Sequence, residues 1–212
     1  MKTFLLAITL ATAAVLTPAG TQAAVGGAAD DPQAIVQSVS SRIQEHLQSA
    51  GAGQDFKQLS DYVASEIDPY IDFDLVSGLV LGSYWKTATP AERSEFSREF
   101  KTLLMRVYAR GFAEAKNWSL KFFPSDADPS GQKTLIKTQI LQAERKPIAV
   151  DYRMLQQRGS WKVYDILIDG VSLVATYRSS FRSEIETNGG SLTGTLDNLR
   201  KHNQQSSAAA GN

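Results

Sequence analysis

The stretch Trp161–Phe181, WKVYDILIDGVSLVATYRSSF, decides the fold class of this chain. Its pattern predicts a buried strand, a turn at Asp169-Gly170 and then the start of an amphipathic helix. Apolar and aromatic side chains dominate it, and its few polar groups form neither a nucleophile–base pair nor a set of metal ligands. Such a segment is typical of the wall of an apolar pocket and does not indicate a catalytic site.

Helical spacing of apolar residues dominates the chain upstream of this segment. Asp31-Pro32 places a capping residue before a proline, and Thr89-Pro90-Ala91-Glu92 has the pattern of a capping box. The fourth helix carries the longest apolar stripe, from Phe96 to Tyr108. The four predicted helices run from Pro32 to about Gly51, from about Gln54 to Glu66, from Asp72 to Gly82, and from Thr89 to beyond Tyr108.

The apolar period then changes from 3.6 residues to two, which indicates strands. Short connections predict an antiparallel meander, and two further helices follow it, from Ser172 to about Glu186 and from about Leu192 to His202. The sequence therefore predicts an α+β domain with a four-stranded, antiparallel, curved sheet between N-terminal and C-terminal helices. The predicted strands are Trp118–Phe122, Lys133–Ile140, Ile148–Leu155 and Trp161–Ile168.

The N-terminus has the pattern of a secretory signal. Lys2 precedes an apolar stretch that is too short to span a bilayer, and small residues before Ala24 predict cleavage after Ala23. We therefore expect an exported, periplasmic protein with a single domain over residues 24–203 and a disordered tail over 204–212. The chain has no cysteine, so the core alone must hold this domain together.

The turn Gln156–Gly159 predicts a register for the last two strands. One face would then carry three opposed pairs, namely Tyr152 with Tyr164, Val150 with Ile166, and Ile148 with Ile168. Periodicity fits a filled core and an open cavity equally well, and both interpretations stand at this point. The predicted cavity lining comprises Leu79, Phe100, Leu103, Leu104 and Val107 from the helices, Val150, Tyr152, Tyr164, Ile166 and Ile168 from the sheet, and Val171, Val174 and Tyr177 behind them.

The residue types exclude several classes of function. With 22 basic and 22 acidic residues there is no basic surplus for nucleic acid. The only histidines, His46 and His202, have no second ligand at metal-binding spacing, so no metal site is predicted. Nucleotide-binding and hydrolase motifs are missing from the sequence.

Asp165 keeps one enzyme hypothesis open. In the predicted register it lies diagonal to Arg153 on the face opposite the apolar pairs, which favours a structural ion pair or a polar contact to a ligand or partner. An aspartate beside Tyr152 or Tyr164 in an apolar pocket could instead act as an acid or base. A third reading is an interaction module with a filled core.

The order of several segments behind the signal resembles a known family. These segments are Phe73–Trp85 (FDLVSGLVLGSYW), Ala88-Thr89-Pro90, the stripe from Phe96 to Tyr108, Val150–Arg153 and Trp161–Phe181. Together they are similar to the periplasmic phospholipid-binding component of the Mla lipid-asymmetry pathway, also called the toluene-tolerance auxiliary family.

This resemblance implies a sheet like that of nuclear-transport-factor-like domains and a deep pocket for the acyl chains of a phospholipid. It implies a soluble monomeric carrier without catalytic activity or cofactor, with phospholipid as cargo. It also implies two exchange partners, the lipid-transport domain of an inner-membrane ABC transporter and an outer-membrane lipoprotein–porin complex. Shuttling between them would maintain the lipid asymmetry of the outer membrane.

Overall fold

The computed structural model describes residues 31–50, 56–114, 118–124 and 131–210. The predicted secretory signal and the cleavage point after Ala23 lie outside these residues. The described residues form seven α-helices and five strands in the order of helices, sheet and helices. The predicted α+β class is therefore confirmed.

The helices begin and end close to the predicted boundaries. Asp72 caps the third helix by accepting a hydrogen bond from the backbone N–H of Leu75 at 3.0 Å. Gly82, with φ of 58°, ends that helix, and a short helix not predicted from the sequence follows. The helices are α1 (Pro32–Ala50), α2 (Phe56–Ile67), α3 (Phe73–Leu81), α4 (Ser83–Thr87), α5 (Pro90–Glu114), α6 (Leu173–Thr187) and α7 (Leu192–Ala210), with a 3₁₀ turn at Asp68–Tyr70 between α2 and α3.

The capping box at the start of α5 forms as predicted. The carboxylate of Glu92 accepts from the backbone N–H of Thr89 at 2.9 Å, and the Thr89 hydroxyl accepts from the N–H of Glu92 at 3.2 Å. These reciprocal bonds satisfy two helix-terminal donors and fix the direction of the longest helix.

The sheet is an antiparallel meander in which each strand pairs with the next along the chain. The structure has a fifth strand where four were predicted, because Asp169 and Gly170 turn with positive φ and return the chain to the sheet before α6 begins. The strands are β1 (Trp118–Phe122), β2 (Lys133–Gln142), β3 (Ile148–Gln157), β4 (Ser160–Ile168) and β5 (Val171–Ser172).

The predicted register between β3 and β4 is wrong by two residues. Tyr152 lies opposite Ile166, not Tyr164, and Val150 lies opposite Ile168. One residue of this displacement arises at the turn, where Gln157 pairs with Ser160, and the other arises between Arg153 and Met154, where β4 contains one extra residue. Because side chains alternate with a period of two, this displacement keeps Val150, Tyr152, Ile166 and Ile168 on one face of the sheet. A bulge of this kind leaves little trace in an apolar pattern.

Buried apolar residues form separate clusters instead of one continuous core. The helix cluster joins α3, α5, α6 and α7 and includes Val80, Phe96, Phe100, Phe181, Ile185 and Leu196. The sheet cluster joins α1 to the inner face of the sheet and contains Ile35, Val36, Ile136, Met154, Trp161 and Val163. A smaller cluster, Ile43, Leu59 and Val63, joins α1 to α2. The space where these clusters approach one another is not filled by side chains.

Helix α7 continues into the segment that composition predicted to be disordered. It ends at Ala210, so residues 204–210 belong to a helix and only residues 211–212 of that tail lie outside the described part. The packed half of α7 supports this extension: the side-chain amide of Asn203 donates to the backbone carbonyl of Glu99 at 2.9 Å. The Ala-rich sequence that follows propagates a helix once it has been nucleated.

Phe96→Ala tests whether the helix cluster carries the stability of the domain. Phe96 is fully buried and contacts Phe100 and Phe181, with ring centroids 5.5 and 5.0 Å away. We expect the free energy of unfolding to fall by about 3–5 kcal/mol, measured by chemical denaturation. Val107→Ala, on the same helix but exposed, should change it by less than about 0.5 kcal/mol. Equal losses in the two variants would contradict this account.

Candidate functional site

A cavity of about 380 Å³ lies between the inner face of the sheet and helices α1, α2, α3, α5 and α6. Its walls draw residues from all three apolar clusters, for example Phe100, Val36 and Val63. This volume is within the range typical of small-molecule sites in proteins. The cavity therefore separates apolar clusters that would otherwise form a single core.

The walls of the cavity are almost entirely apolar. Among the described residues that line it, Asp165 alone carries a charge, and the other polar groups belong to the tyrosines, Ser40, Gln142 and the indole of Trp118. Five tyrosines contribute rings to the lining, namely Tyr70, Tyr108, Tyr152, Tyr164 and Tyr177. Such a surface favours a ligand that is apolar over most of its length, because burying an unpaired polar group is costly.

Most of the predicted lining residues are brought together around this cavity. They alternate along β3 and β4, and they recur at helical spacing on α5 and α6. The strand residues share one face despite the wrong register, because the register error in this region is two residues. The predicted residues that line the cavity are Phe100, Leu104, Val150, Tyr152, Tyr164, Ile166, Ile168, Val174 and Tyr177.

Four predicted lining residues lie elsewhere. Leu103 packs against the helix cluster because it is on the stripe of α5 beside the one formed by Phe100 and Leu104. Val107 and Val171 are 48% and 60% exposed. Leu79 does not line the cavity, because α3 contributes to the wall through residues nearer the N-terminus of the helix. The backbone carbonyl of Leu79 accepts a hydrogen bond from Arg178.

Sequence reasoning missed the wall formed by α1 and α2. Ile35, Val39 and Ile43 line the cavity from α1, and Val63 lines it from α2. The four-residue spacing in α1 correctly predicted an apolar face, but it could not show which element that face would contact. The missed lining residues also include Tyr70, Tyr108, Trp118, Leu120 and Leu173.

Asp165 is buried in the cavity wall and its carboxylate accepts three hydrogen bonds. One oxygen accepts from Arg153 Nη1 at 3.0 Å and from the Ser172 hydroxyl at 2.7 Å. The other accepts from the backbone N–H of Val174 at 3.1 Å. The predicted ion pair is present, although Arg153 lies directly opposite Asp165 and not diagonal to it. The predicted position on the face away from the cavity is wrong, because Asp165 is among the residues that line the cavity. The arrangement joins two strands to the first turn of α6.

Three of the cavity tyrosines, Tyr108, Tyr152 and Tyr177, have raised pKa values. Burial raises the pKa of Tyr108 and of Tyr177. Burial also raises the pKa of Tyr152 to about 12, an effect opposed by a hydrogen bond with Thr138. Tyr108, Tyr152 and Tyr177 are therefore protonated near neutral pH.

Two further observations concern metals and membranes. Within the described ranges there is no cluster of three or more His, Cys, Asp or Glu side chains able to hold a metal ion. None of the helices in the described part of the chain is long and apolar enough to cross a bilayer.

A curved antiparallel sheet, covered by helices around an apolar cavity, defines this chain as an α+β domain built to enclose a ligand. The sequence profile described as MlaC protein matches residues 34–201. The chain belongs to the MlaC protein family, and the resemblance predicted from the sequence is confirmed.

Individual relatives support this assignment. The chain is 26% identical to toluene tolerance protein ttg2D of Pseudomonas putida over 132 residues, 62% of this chain and 61% of that protein. It is 26% identical over 148 residues to the intermembrane phospholipid transport system binding protein MlaC of Haemophilus influenzae, 68% of this chain and 69% of that one.

A solved structure is similar to the whole domain. It is a phospholipid-binding protein from Ralstonia solanacearum, determined in complex with a phospholipid. The two structures superpose with a TM-score of 0.77 at 27% sequence identity, covering 84% of this chain and 99% of the other.

Asp165→Asn tests the structural role of the carboxylate. The variant loses the ion pair with Arg153 and weakens the link to α6, so we expect the free energy of unfolding to fall by about 1–3 kcal/mol in denaturant titrations. Asn retains an acceptor for the Val174 N–H, so the fold should survive. An unchanged denaturation midpoint would show that the link carries no stability.

Tyr152→Phe tests the burial of the tyrosine hydroxyl. The folded state raises the pKa of Tyr152 from 10.0 to about 12, so the stability it contributes is complete below pH 10. It is lost as the pH rises toward 12, because the unfolded chain ionises first. Thermal unfolding from pH 9 to 12 should show a shallower loss of stability in the Phe variant. Parallel profiles would contradict the assignment.

Proposed function

We propose that this protein is a phospholipid carrier that holds acyl chains in the apolar cavity and has no catalytic activity of its own. The observation that carries the proposal is the cavity itself, enclosed by a domain similar to one determined with a bound phospholipid. Phospholipid is therefore cargo, and the function requires no cofactor. Membership of the MlaC family supports the same conclusion.

The energetics of lipid transfer explain why a carrier needs such a cavity. Exposing about 15 methylene groups of one acyl chain to water costs on the order of 12 kcal/mol, at about 0.8 kcal/mol each. A carrier must therefore bury the chain nearly as well as a bilayer does. Transfer between two comparably apolar sites is then close to neutral, so the direction of transport is set by the partners.

The contacts we propose for the acyl chains are the predicted residues that line the cavity. Leu104 and Phe100 would contact the chain from α5, and Val150, Ile166 and Ile168 from the sheet. Val36 and Val39 on α1 extend the same surface on the opposite side. Leu103, Val107, Val171 and Leu79 are not included.

The remaining elements of the proposal concern place and partners. We propose that the chain is exported to the periplasm behind the N-terminal signal and acts there as a soluble monomer. It would exchange lipid with the lipid-transport domain of an inner-membrane ABC transporter and with an outer-membrane lipoprotein–porin complex. The name of the Haemophilus influenzae relative, an intermembrane phospholipid transport system binding protein, supports this role in maintaining outer-membrane lipid asymmetry.

The enzyme hypothesis built on Asp165 has less support. Its carboxylate already accepts three hydrogen bonds from protein donors, so use of Asp165 as an acid or base would compete with the bonds that link the strands to α6. The filled-core interaction module is disfavoured by the cavity.

Native mass spectrometry of the purified protein tests the proposal directly. We expect organic extracts of the protein to contain phospholipid, and the intact complex to carry a matching mass. Stripped protein should take up phospholipid again from vesicles. A protein that carries none and takes up none would overturn the carrier function.

Ile166→Asp tests the location of the lipid. Its side chain lines the cavity opposite Tyr152, so a charge there should reduce phospholipid loading at least tenfold, because an acyl chain cannot solvate a carboxylate. Val107→Asp adds the same charge on exposed α5 surface and should load normally. Circular dichroism confirms folding of both variants. A folded Ile166→Asp protein with full lipid loading would show that the chains lie elsewhere.

A further inference from the structure

The apolar face of the sheet continues from the cavity to an exposed end of the domain. Three large apolar side chains are exposed among the described residues, and two of them, Ile148 and Val171, belong to the sheet. Ile148 lines the cavity and is also 37% exposed, so the cavity reaches the surface at this point. Val171 is 60% exposed. We call these two residues the sheet-end patch.

The strand pairing places the sheet-end patch on the same face as the cavity wall. Ile140 lies opposite Ile148, Val150 lies opposite Ile168, and Ile168 lies opposite Val171. Residues that lie opposite each other in an antiparallel pair share a face, and so do Ile148 and Val150, which are two residues apart. All of these residues except Val171 line the cavity. Val171 therefore continues the apolar wall outward across the last strand.

Two hydrogen bonds hold the two parts of the sheet-end patch at one end of the sheet. The backbone N–H of Asp169 donates to the carbonyl of Ala149 at 2.9 Å, and the Asp169 carboxylate accepts from the N–H of Ala149 at 3.1 Å. These bonds join the turn that precedes Val171 to the residue that follows Ile148. The two apolar side chains therefore keep a fixed relation to each other.

Basic side chains flank the sheet-end patch. The connection between β2 and β3 is exposed throughout residues 143–148, where Arg145 and Lys146 outnumber the single acidic residue Glu144. The nearby carboxylate of Asp169 is directed to the N–H of Ala149. Exposed apolar side chains beside basic ones are typical of protein surfaces that bind bilayers containing anionic lipid.

The size of the sheet-end patch favours a bilayer over a protein partner. A stable protein–protein interface buries about 800 Å² on each partner and needs roughly 20–30 residues a side. Two exposed apolar side chains provide far less than that. A bilayer surface requires no complementary shape, and its acyl chains would meet an apolar wall that leads directly into the cavity.

We propose that the sheet-end patch contacts the surface of bilayers that contain anionic phospholipid, and that acyl chains enter and leave the cavity across Ile148 and Val171. The patch lets the protein collect lipid from a bilayer without a second protein. This inference rests on the proposed carrier function.

The rate of lipid uptake from protein-free vesicles tests this inference. Stripped protein is mixed with vesicles of phosphatidylcholine, either alone or with added phosphatidylglycerol, and bound lipid is followed over time by native mass spectrometry. A parallel sample receives the same lipids from detergent micelles. We expect the wild-type protein to load about fivefold faster from the vesicles with phosphatidylglycerol, the effect of one net basic charge near an anionic surface.

Val171→Asp assigns the uptake to the sheet-end patch. We expect this variant to load from vesicles about tenfold more slowly than the wild-type protein, because a carboxylate cannot enter the acyl layer. Its final loading from micelles should be unchanged, because Val171 does not line the cavity. The matched control is Val107→Asp, which places the same charge on exposed α5 surface and should keep the wild-type rate.

A charge variant gives a second, independent measurement. Arg145→Gln/Lys146→Gln leaves both apolar side chains in place and changes only exposed residues. We expect it to lose the acceleration by phosphatidylglycerol and to keep the wild-type rate with phosphatidylcholine alone. This variant decides the inference even if Val171→Asp does not fold.

The outcomes separate this inference from the carrier function. A folded Val171→Asp protein with the wild-type rate overturns the inference and leaves the carrier function intact, and so do equal losses in Val171→Asp and Val107→Asp. Acceleration that persists in the charge variant also overturns it. Wild-type protein that loads from micelles but not from vesicles would show that the patch serves a protein partner instead. Failure to load from either source overturns the carrier function and this inference together.

Discussion

The carboxylate of Asp165 is the interaction on which the geometry of the cavity depends. It holds Arg153 on the neighbouring strand, the cap residue Ser172 and the first turn of α6 at one point. Helix α6 therefore leaves the sheet at a fixed angle and carries Val174 and Tyr177 to the cavity wall. A buried charge is tolerable here because three donors compensate for its lost hydration.

A second constraint is that the domain keeps its apolar clusters apart. The helix cluster and the sheet cluster each pack tightly enough to bury Phe96 and Met154 completely. The smaller cluster between α1 and α2 completes the wall. The stability of the domain thus comes from the clusters around the cavity. The side chains of the cavity wall can therefore remain apolar without filling the space between them. With no cysteine in the chain, no covalent link contributes.

The elements of the fold could be predicted from the sequence, because caps and apolar periods are local signals. Asp72, the Thr89–Glu92 capping box and the alternation in β3 and β4 all behaved as the patterns indicate. The register could not be predicted, because the first pair at the turn and one extra residue in β4 each displace the pairing by one residue without changing the local composition. The predicted cavity face of Val150, Tyr152, Ile166 and Ile168 is nevertheless correct, because the register error there is an even number of residues.

The cavity wall could be predicted only in part, and the reason is long-range packing. The lining residues of α5, α6 and the sheet could be predicted because each lies on a local apolar stripe or in a local apolar alternation. The contribution of α1 depends on where that helix docks, which no local signal gives. Exposure of Val107 and Val171 likewise depends on where neighbouring elements end. Periodicity identifies an apolar face, and tertiary structure decides what lies against it.

Because of the unfilled space between the clusters, the melting temperature of this protein depends on whether a ligand occupies the cavity. Any apolar molecule that occupies the cavity binds the folded chain and not the unfolded one, so it raises the melting temperature in proportion to the logarithm of its free concentration. The empty protein lacks those contacts and is the form that opens most readily to proteases. The supply of a ligand for the cavity and the resistance of the protein to proteolysis are therefore coupled through the same 380 Å³.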